Sequence, residues 1–210
     1  MTDKLVGVIL AGGLATRMGG GDKCLKELAD GVSLLDVAID GLKGQVEAIA
    51  LNANGDPSRF DALGLPVLAD GVEGYAGPLA GVLAALEWAD TQGASHVISV
   101  AGDTPFFPDN LVEKLKSNAG PEGLALAASY DENGKLWRQP TFGLWPVSLK
   151  SDLREALVTD GIRKIVIWTD AHRAGQAVFD SVNGVDPFFN VNTPEDLDRA
   201  RQLARQRGLV

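Results

Sequence analysis

Hydrophobic positions along the chain fall into two alternating kinds of run. Leu5–Leu10 is apolar at every position except Gly7, as expected of a strand covered on both faces of a sheet. Residues 33–42 then place Leu34, Leu35, Val37, Ala38 and Leu42 at helical spacing. Apolar runs at 46–52, 66–69 and 96–100 predict further strands. Residues 77–89 predict a helix that carries Pro78 in its first turn. Helical spacing recurs at 108–117 and 148–158. The runs 124–130 and 135–144 flank Asp131-Glu132-Asn133-Gly134, and the Asn-Gly pair predicts a hairpin. Residues 162–168 are ambiguous: their β-branched content favours a strand, yet Ile162, Ile165, Val166 and Thr169 share one helical face. Residues 177–180 predict a strand. Thr193-Pro194-Glu195-Asp196 opens the last helix with an N-cap threonine, a first-turn proline and an acidic turn.

This alternation predicts an α/β domain spanning 1–210, with a doubly wound, mainly parallel, Rossmann-like sheet and a small antiparallel hairpin insertion. No repeat or linker interrupts it. Ligands of such sheets sit outside the carboxyl ends of the strands. Gly12, Asn52, Asp70, Asp103 and residues 190–192 all fall at or just past strand ends.

Composition narrows the chemistry. The 210 residues are 45% hydrophobic and 22% charged, which suits a globular domain. A net charge of −9 argues against nonspecific nucleic-acid binding, so a polyanionic ligand would need cations concentrated locally or a metal ion. Cys24 is the only cysteine, which excludes an intrachain disulfide and favours a reducing compartment. The short apolar run after Lys4 leads into Gly-Gly rather than a cleavage site, and no run approaches a membrane span. A soluble, cytoplasmic protein is expected.

The first strand runs straight into Gly12-Gly13-Leu14-Ala15-Thr16-Arg17-Met18-Gly19-Gly20-Gly21-Asp22-Lys23. Glycines let backbone N–H groups approach a triphosphate closely, and the two cations offset its charge. A P-loop is excluded, because Asp22 precedes Lys23 and Cys24 follows it. A dinucleotide fingerprint is excluded by Gly12-Gly13-Leu14-Ala15. His96 and His172 lie too far apart in sequence for a zinc motif, and no Ser, Thr or Cys has a nucleophile context. Trp88, Trp137, Trp145 and Trp168 are expected mainly in the core and the hairpin.

These blocks resemble the nucleoside-triphosphate transferases, and within them the molybdenum cofactor guanylyltransferases of the MobA type. The matching residues are Leu10-Ala11-Gly12-Gly13, Arg17-Met18-Gly19-Gly20, Asp22-Lys23, Asn52-Ala53-Asn54, Asp70, Gly77-Pro78-Leu79-Ala80-Gly81, Asp103-Thr104-Pro105 and Asn190-Val191-Asn192-Thr193-Pro194-Glu195. They occur in family order over almost the whole chain.

The resemblance implies transfer of GMP from GTP to the terminal phosphate of molybdopterin, with release of pyrophosphate. It implies that Gly12 and Gly13 present backbone donors to the β- and γ-phosphates, that Arg17 meets the leaving pyrophosphate, and that Lys23 reaches the α-phosphate. Asp103 would hold Mg²⁺, an ion suited to hard oxygen ligands. Leu10 and Ala11 at the strand end, with Asn52 and Asp70, would contact the nucleotide. Turn or cap roles remain open for Asn52 and Asp70. Asn190 and Asn192 would line the acceptor side, and Arg138 is placed where the hairpin meets the acceptor phosphate. Gln139 stands where relatives often carry histidine, which puts acceptor affinity or specificity in question. The expected partners are the two substrates, with transient contacts to proteins that deliver the cofactor or mature molybdoenzymes; a monomer is expected. Two other readings fit the loop: a cytidylyltransferase acting on the same cofactor or on a sugar-alcohol phosphate, and a noncatalytic nucleotide-binding module.

Overall fold

A computed structural model describes residues 4–12, 20–72, 77–131, 133–182 and 184–209. Among the described residues the strands are β1 Leu5–Leu10, β2 Glu27–Ala29, β3 Val32–Ser33, β4 Ile49–Asn52, β5 Val67–Leu68, β6 His96–Ala101, β7 Ala125–Tyr130, β8 Leu136–Pro146 and β9 Gly175–Phe179. Its helices are α1 Leu34–Leu42, α2 Pro78–Thr91, α3 Leu111–Ser117, α4 Lys150–Val158, α5 Ile165–Ala171 and α6 Pro194–Gln206.

Seven strands form one sheet in the order β5-β4-β1-β6-β8-β7-β9. Every pairing is parallel except those made by β8, which runs antiparallel to β6 and β7. The expected hairpin is therefore continuous with the central sheet. Because β8 is reversed, its first residues lie at the carboxyl edge of the parallel strands. β2 and β3 form a separate antiparallel ribbon between the glycine-rich loop and α1.

Alternation along the strands builds two apolar layers. Ile9, Leu51, Ile98 and Val100 face α1 and α3, together with Phe142 and Phe179. Val6, Val8, Ala50 and Val97 face α2, α4 and α5, where Trp145 and Trp168 stack with ring centroids 6.2 Å apart. Full burial of each such side chain contributes about 1.5–3 kcal/mol. α6 packs against β2 and the outer side of α1 through Leu197, Ala200, Leu203 and Ala204, and Val191 is buried in the same cluster. That packing brings the 190–192 segment to the carboxyl edge of the sheet.

The ambiguous segment at 162–168 resolves as α5. Ile165, Trp168 and Thr169 are buried on one side, whereas Ile167 is exposed. The predicted strand 46–52 begins later, at Ile49, because Val46 makes only an isolated bridge with Lys43.

Candidate active site

The site is assembled from strand ends. β1 stops at Leu10, whose carbonyl accepts the Gly102 N–H at 3.1 Å, while the Ala11 N–H donates to the Asn52 carbonyl at 2.9 Å. These bonds place the first residues past β1, β4 and β6 side by side. Residues 23–25 then form a 3-10 turn with Asp22 at its N-cap, which directs Lys23 inward.

Lys23 Nζ lies 2.5 Å from Asp103 Oδ2, and its side chain is only 11% exposed. The same ammonium donates to Asn192 Oδ1 at 2.7 Å and to Asn190 Oδ1 at 3.4 Å. An ammonium has three N–H donors, so this cluster uses its full capacity.

Local sequence explains how the two asparagines get there. Thr193 and Asp196 form a capping box on α6: the Thr193 hydroxyl accepts the Asp196 N–H, and Asp196 Oδ2 accepts the Thr193 N–H. Asp196 Oδ2 also accepts the Asn192 N–H at 2.9 Å. The Val191 N–H in turn donates to the Asp103 carbonyl at 2.9 Å. The cap of α6 and the end of β6 thus hold the 190–192 segment between them.

Beside this cluster is a cavity of about 310 Å³ lined by Leu10, Gly12, Asn52, Asn54, Asp70, Gly77 and Pro78. A smaller one is lined by Leu10, Ala11, Lys23, Cys24 and Asp103, so Leu10 borders both. Asp70 is held by two amides: Asn52 Nδ2 donates to its Oδ1 at 2.9 Å and Asn54 Nδ2 to its Oδ2 at 2.8 Å. Asn54 Oδ1 completes the exchange by accepting the Asp70 N–H at 2.9 Å. A carboxylate has about four lone-pair sites, so Asp70 keeps acceptor capacity toward the cavity. Asn52 also donates to the Leu68 carbonyl at 3.1 Å.

Cys24 lies under the site. Its thiol points to the Ala11 carbonyl at 3.7 Å, and burial, with the nearby charges of Asp22 and Asp103, pushes its pKa up to about 12. It is a packing residue and no thiolate at neutral pH.

Leu10, Ala11, Gly12, Lys23, Asn52, Asp70, Asp103, Asn190 and Asn192 therefore converge on adjoining cavities and one ionic cluster. Gly13 and Arg17 lie outside the described residues. Arg138 takes a different place: its guanidinium pairs with Asp170 on α5, across the sheet from its neighbour Gln139. Gln139 Nε2 donates to the Ser129 hydroxyl at 3.1 Å, which donates to Asp186 Oδ1 at 3.2 Å, tying β8 to the segment that leads to Asn190. Asn54 joins the site although only its neighbours Asn52 and Asp70 were expected there. The symmetrical Asn-Ala-Asn spacing was its signal, since alternate residues past a strand end point the same way. Among the described residues, no group of three or more His, Cys, Asp or Glu side chains is placed to hold a metal.

Residues 7–174 match the MobA-like NTP transferase domain. The chain is 45% identical over 208 residues to the molybdenum cofactor guanylyltransferase of Mesorhizobium japonicum, covering 97% of each chain. It is 48% identical over 206 residues to that of Nitrobacter hamburgensis, covering 96% of this chain and 95% of the relative. Its fold is similar to molybdopterin-guanine dinucleotide biosynthesis protein A of Archaeoglobus fulgidus, with a TM-score of 0.66 at 23% identity over 96% of this chain and 99% of that one. The chain belongs to the MobA-like NTP transferase family.

Proposed function

We propose that this protein transfers GMP from GTP to the terminal phosphate of molybdopterin, forming the guanine dinucleotide cofactor and releasing pyrophosphate. The observation that carries the proposal is the juxtaposition of the Asn52–Asp70 cavity with the Lys23–Asp103 cluster across Leu10. A base held in the first would set its α-phosphate at the second. Relatives more than 40% identical over nearly the whole chain are named as guanylyltransferases of this cofactor.

The cavity chemistry favours guanine. Its Watson–Crick edge presents N1–H and N2–H donors, which suit the free lone pairs of Asp70. Cytosine presents N3 and O2 acceptors beside a single amino group, and these face a carboxylate unfavourably. This counts against the cytidylyl alternative.

In the reaction, a terminal phosphate oxygen of the acceptor attacks the α-phosphorus in line. The new P–O bond forms as the bond to the β-phosphate bridging oxygen breaks, and pyrophosphate leaves with the electron pair. The nucleophile is already anionic, so no strong general base is required. Positioning and charge neutralisation remain, and both fall to the residues described. Lys23 turns from Asp103 to the α-phosphate, where charge accumulates. Asn190 and Asn192, released from the Lys23 ammonium, become free to orient the acceptor.

Asp103, together with the oxygens of the triphosphate itself, would offer an oxygen-only donor set around one carboxylate. That set fits Mg²⁺, which is commonly held by one or two carboxylates plus substrate phosphates. When bound, the ion would offset charge on the triphosphate and on the departing pyrophosphate. A mere binding module has little need of a cation and a carboxylate poised together at the α-phosphate position.

The proposal extends to a monomer acting in the cytoplasm and meeting delivery or maturation proteins transiently. No helix among the described residues is long and apolar enough to cross a membrane.

Thermal melts with Mg²⁺ and each of GTP, CTP, ATP and UTP test the donor. A ligand at about 100 times its Kd stabilises the protein by about 2.7 kcal/mol. GTP should raise Tm the most; preferential stabilisation by CTP would overturn the guanylyl assignment.

A further inference from the structure

We propose that Arg59 is a positioning residue that ties the base-recognition loop to Lys23. The inference rests on the reading of the site as one that binds a nucleoside triphosphate. Arg59 lies in a 3-10 segment, Pro57–Leu63, just after β4. Its guanidinium reaches two separate parts of the site. Nη2 donates to the Asn54 carbonyl at 2.6 Å and Nη1 to the Asp56 carbonyl at 2.5 Å. Nε lies 2.7 Å from Asp22 Oδ2. The Nε–H is buried and makes no well-aligned hydrogen bond, so the Asp22 contact acts through charge rather than direction. The guanidinium carbon lies 4.7 Å from the Phe60 ring centroid, and Phe60 is anchored in the core.

Each arm leads to a residue with a direct task. Asp22 is the N-cap of the turn that opens with Lys23. Asn54 exchanges two hydrogen bonds with Asp70 in the base cavity. Arg59 therefore links the two ends of the donor site through one planar group. A base that engages Asp70 fixes Asn54, and through Arg59 it fixes Asp22 and the turn carrying Lys23. A poorly fitting base leaves Lys23 less firmly held at the α-phosphate. Base identity is then felt at the reacting phosphate as well as in the base cavity.

The guanidinium fork is what permits this. A lysine supplies a compact ammonium on a flexible stem and cannot span the same three acceptors in one plane. Arg59→Lys keeps a positive charge beside Phe60 and Asp22 but loses the planar fork, so it removes the link while sparing the fold.

The test is a double-mutant cycle on binding of fluorescently labelled GTP in the presence of Mg²⁺. Asn54→Ala and Lys23→Ala are combined in the Arg59 parent and again in an Arg59→Lys background, with folding checked by thermal melts. In the parent, the double mutant's loss of affinity should differ from the product of the single losses by about fivefold, and in the Arg59→Lys background the losses should multiply. Asp22→Asn should abolish the non-additivity in the same way. Losses that multiply in the parent, or non-additivity that survives Arg59→Lys, would overturn the inference. Should the parent bind CTP in preference to GTP, the guanylyl reading falls; the cycle run with CTP still decides the coupling. Failure to bind any nucleotide overturns both.

Discussion

Lys23 Nζ and Asp103 Oδ2 stand 2.5 Å apart at the carboxyl edge of the sheet, each partly buried and paired with the other. The pair keeps two partly buried charges neutral, and on the proposed function both would exchange partners when the nucleotide binds. In the proposed reaction Lys23 would turn to the α-phosphate and Asp103 would be free to hold a metal ion. On that reading the contact holds the two catalytic groups pre-oriented, and its contribution to stability is secondary.

Lys23→Ala should therefore lower kcat by about 10²–10³, the usual cost of one lost transition-state contact, and Asp103→Asn by a similar factor. Circular dichroism and thermal melts should show both variants folded. A Lys23→Ala enzyme that keeps close to normal kcat would show that Lys23 does not act at the reacting phosphate.

Gly81 tests the Asn52–Asp70 cavity from behind. A Cβ built on it would meet Asn52 Oδ1 at 2.2 Å. Alanine is the better helix former by about 1 kcal/mol, so helix propensity alone would make Gly81→Ala harmless or stabilising. The clash instead displaces Asn52 and its bond to Asp70. Titration calorimetry should find Mg²⁺-GTP bound about tenfold more weakly, the effect of roughly one lost hydrogen bond to a charged group. Unchanged affinity would remove Asn52 from nucleotide recognition.

Cys24 is expected to be inert despite its position next to Lys23. Its thiol is buried and its pKa stands at about 12, so little thiolate exists near neutrality. Iodoacetamide should leave the folded protein unmodified at about pH 8 and label Cys24 fully in denaturant. Rapid labelling of the native protein would contradict this packing role.

How much of this was legible in the sequence depended on whether the signal was local. The strand at Leu5–Leu10, the α6 cap at Thr193 and the hairpin at Asn133-Gly134 each rest on neighbouring residues, and each appears as expected. The β2–β3 ribbon was missed because its strands have three and two residues, although Asp30-Gly31 carries the turn and Gly31 has φ +76°. The segment around Ile165 was undecided because its residues suit either period; packing of Trp168 against Trp145 settles it as a helix. Lys23, Asp103 and Asn192 could be named individually through the family resemblance. Their mutual contact spans 169 residues of chain between Lys23 and Asn192, and no periodicity shows it. Arg59 had no signal at all, and Arg138 turns to Asp170 because α5 packs beneath it, which depended on the helix that the sequence left open.

His172 gives the protein a pH-dependent contribution to stability away from the site. Its ring nitrogens lie 2.8 Å from Glu122 Oε2 and 2.8 Å from Asp152 Oδ1, and its ring lies 4.4 Å from that of Trp168. Burial alone would lower its pKa, but the hydrogen bonds and charges of Glu122 and Asp152 outweigh it and raise the pKa above the usual 6.5. The folded state then holds the proton more tightly than the unfolded state. The resulting stabilisation is complete below the unfolded value and is lost as pH rises through the raised native one. Urea unfolding should show His172→Gln destabilised relative to the parent at about pH 5.5, with the difference shrinking toward about pH 9. A difference that grows with pH would reverse the sign of this account.

The most direct measurement is product formation from GTP labelled at the α-phosphate, with Mg²⁺ and molybdopterin as acceptor. The label should pass to the pterin as a guanine dinucleotide, with one pyrophosphate released per transfer, and CTP should substitute poorly. Transfer from CTP in preference to GTP, or pyrophosphate release with no label on the pterin, would contradict the assignment of the Asn52–Asp70 cavity and the Lys23–Asp103 cluster to guanylyl transfer.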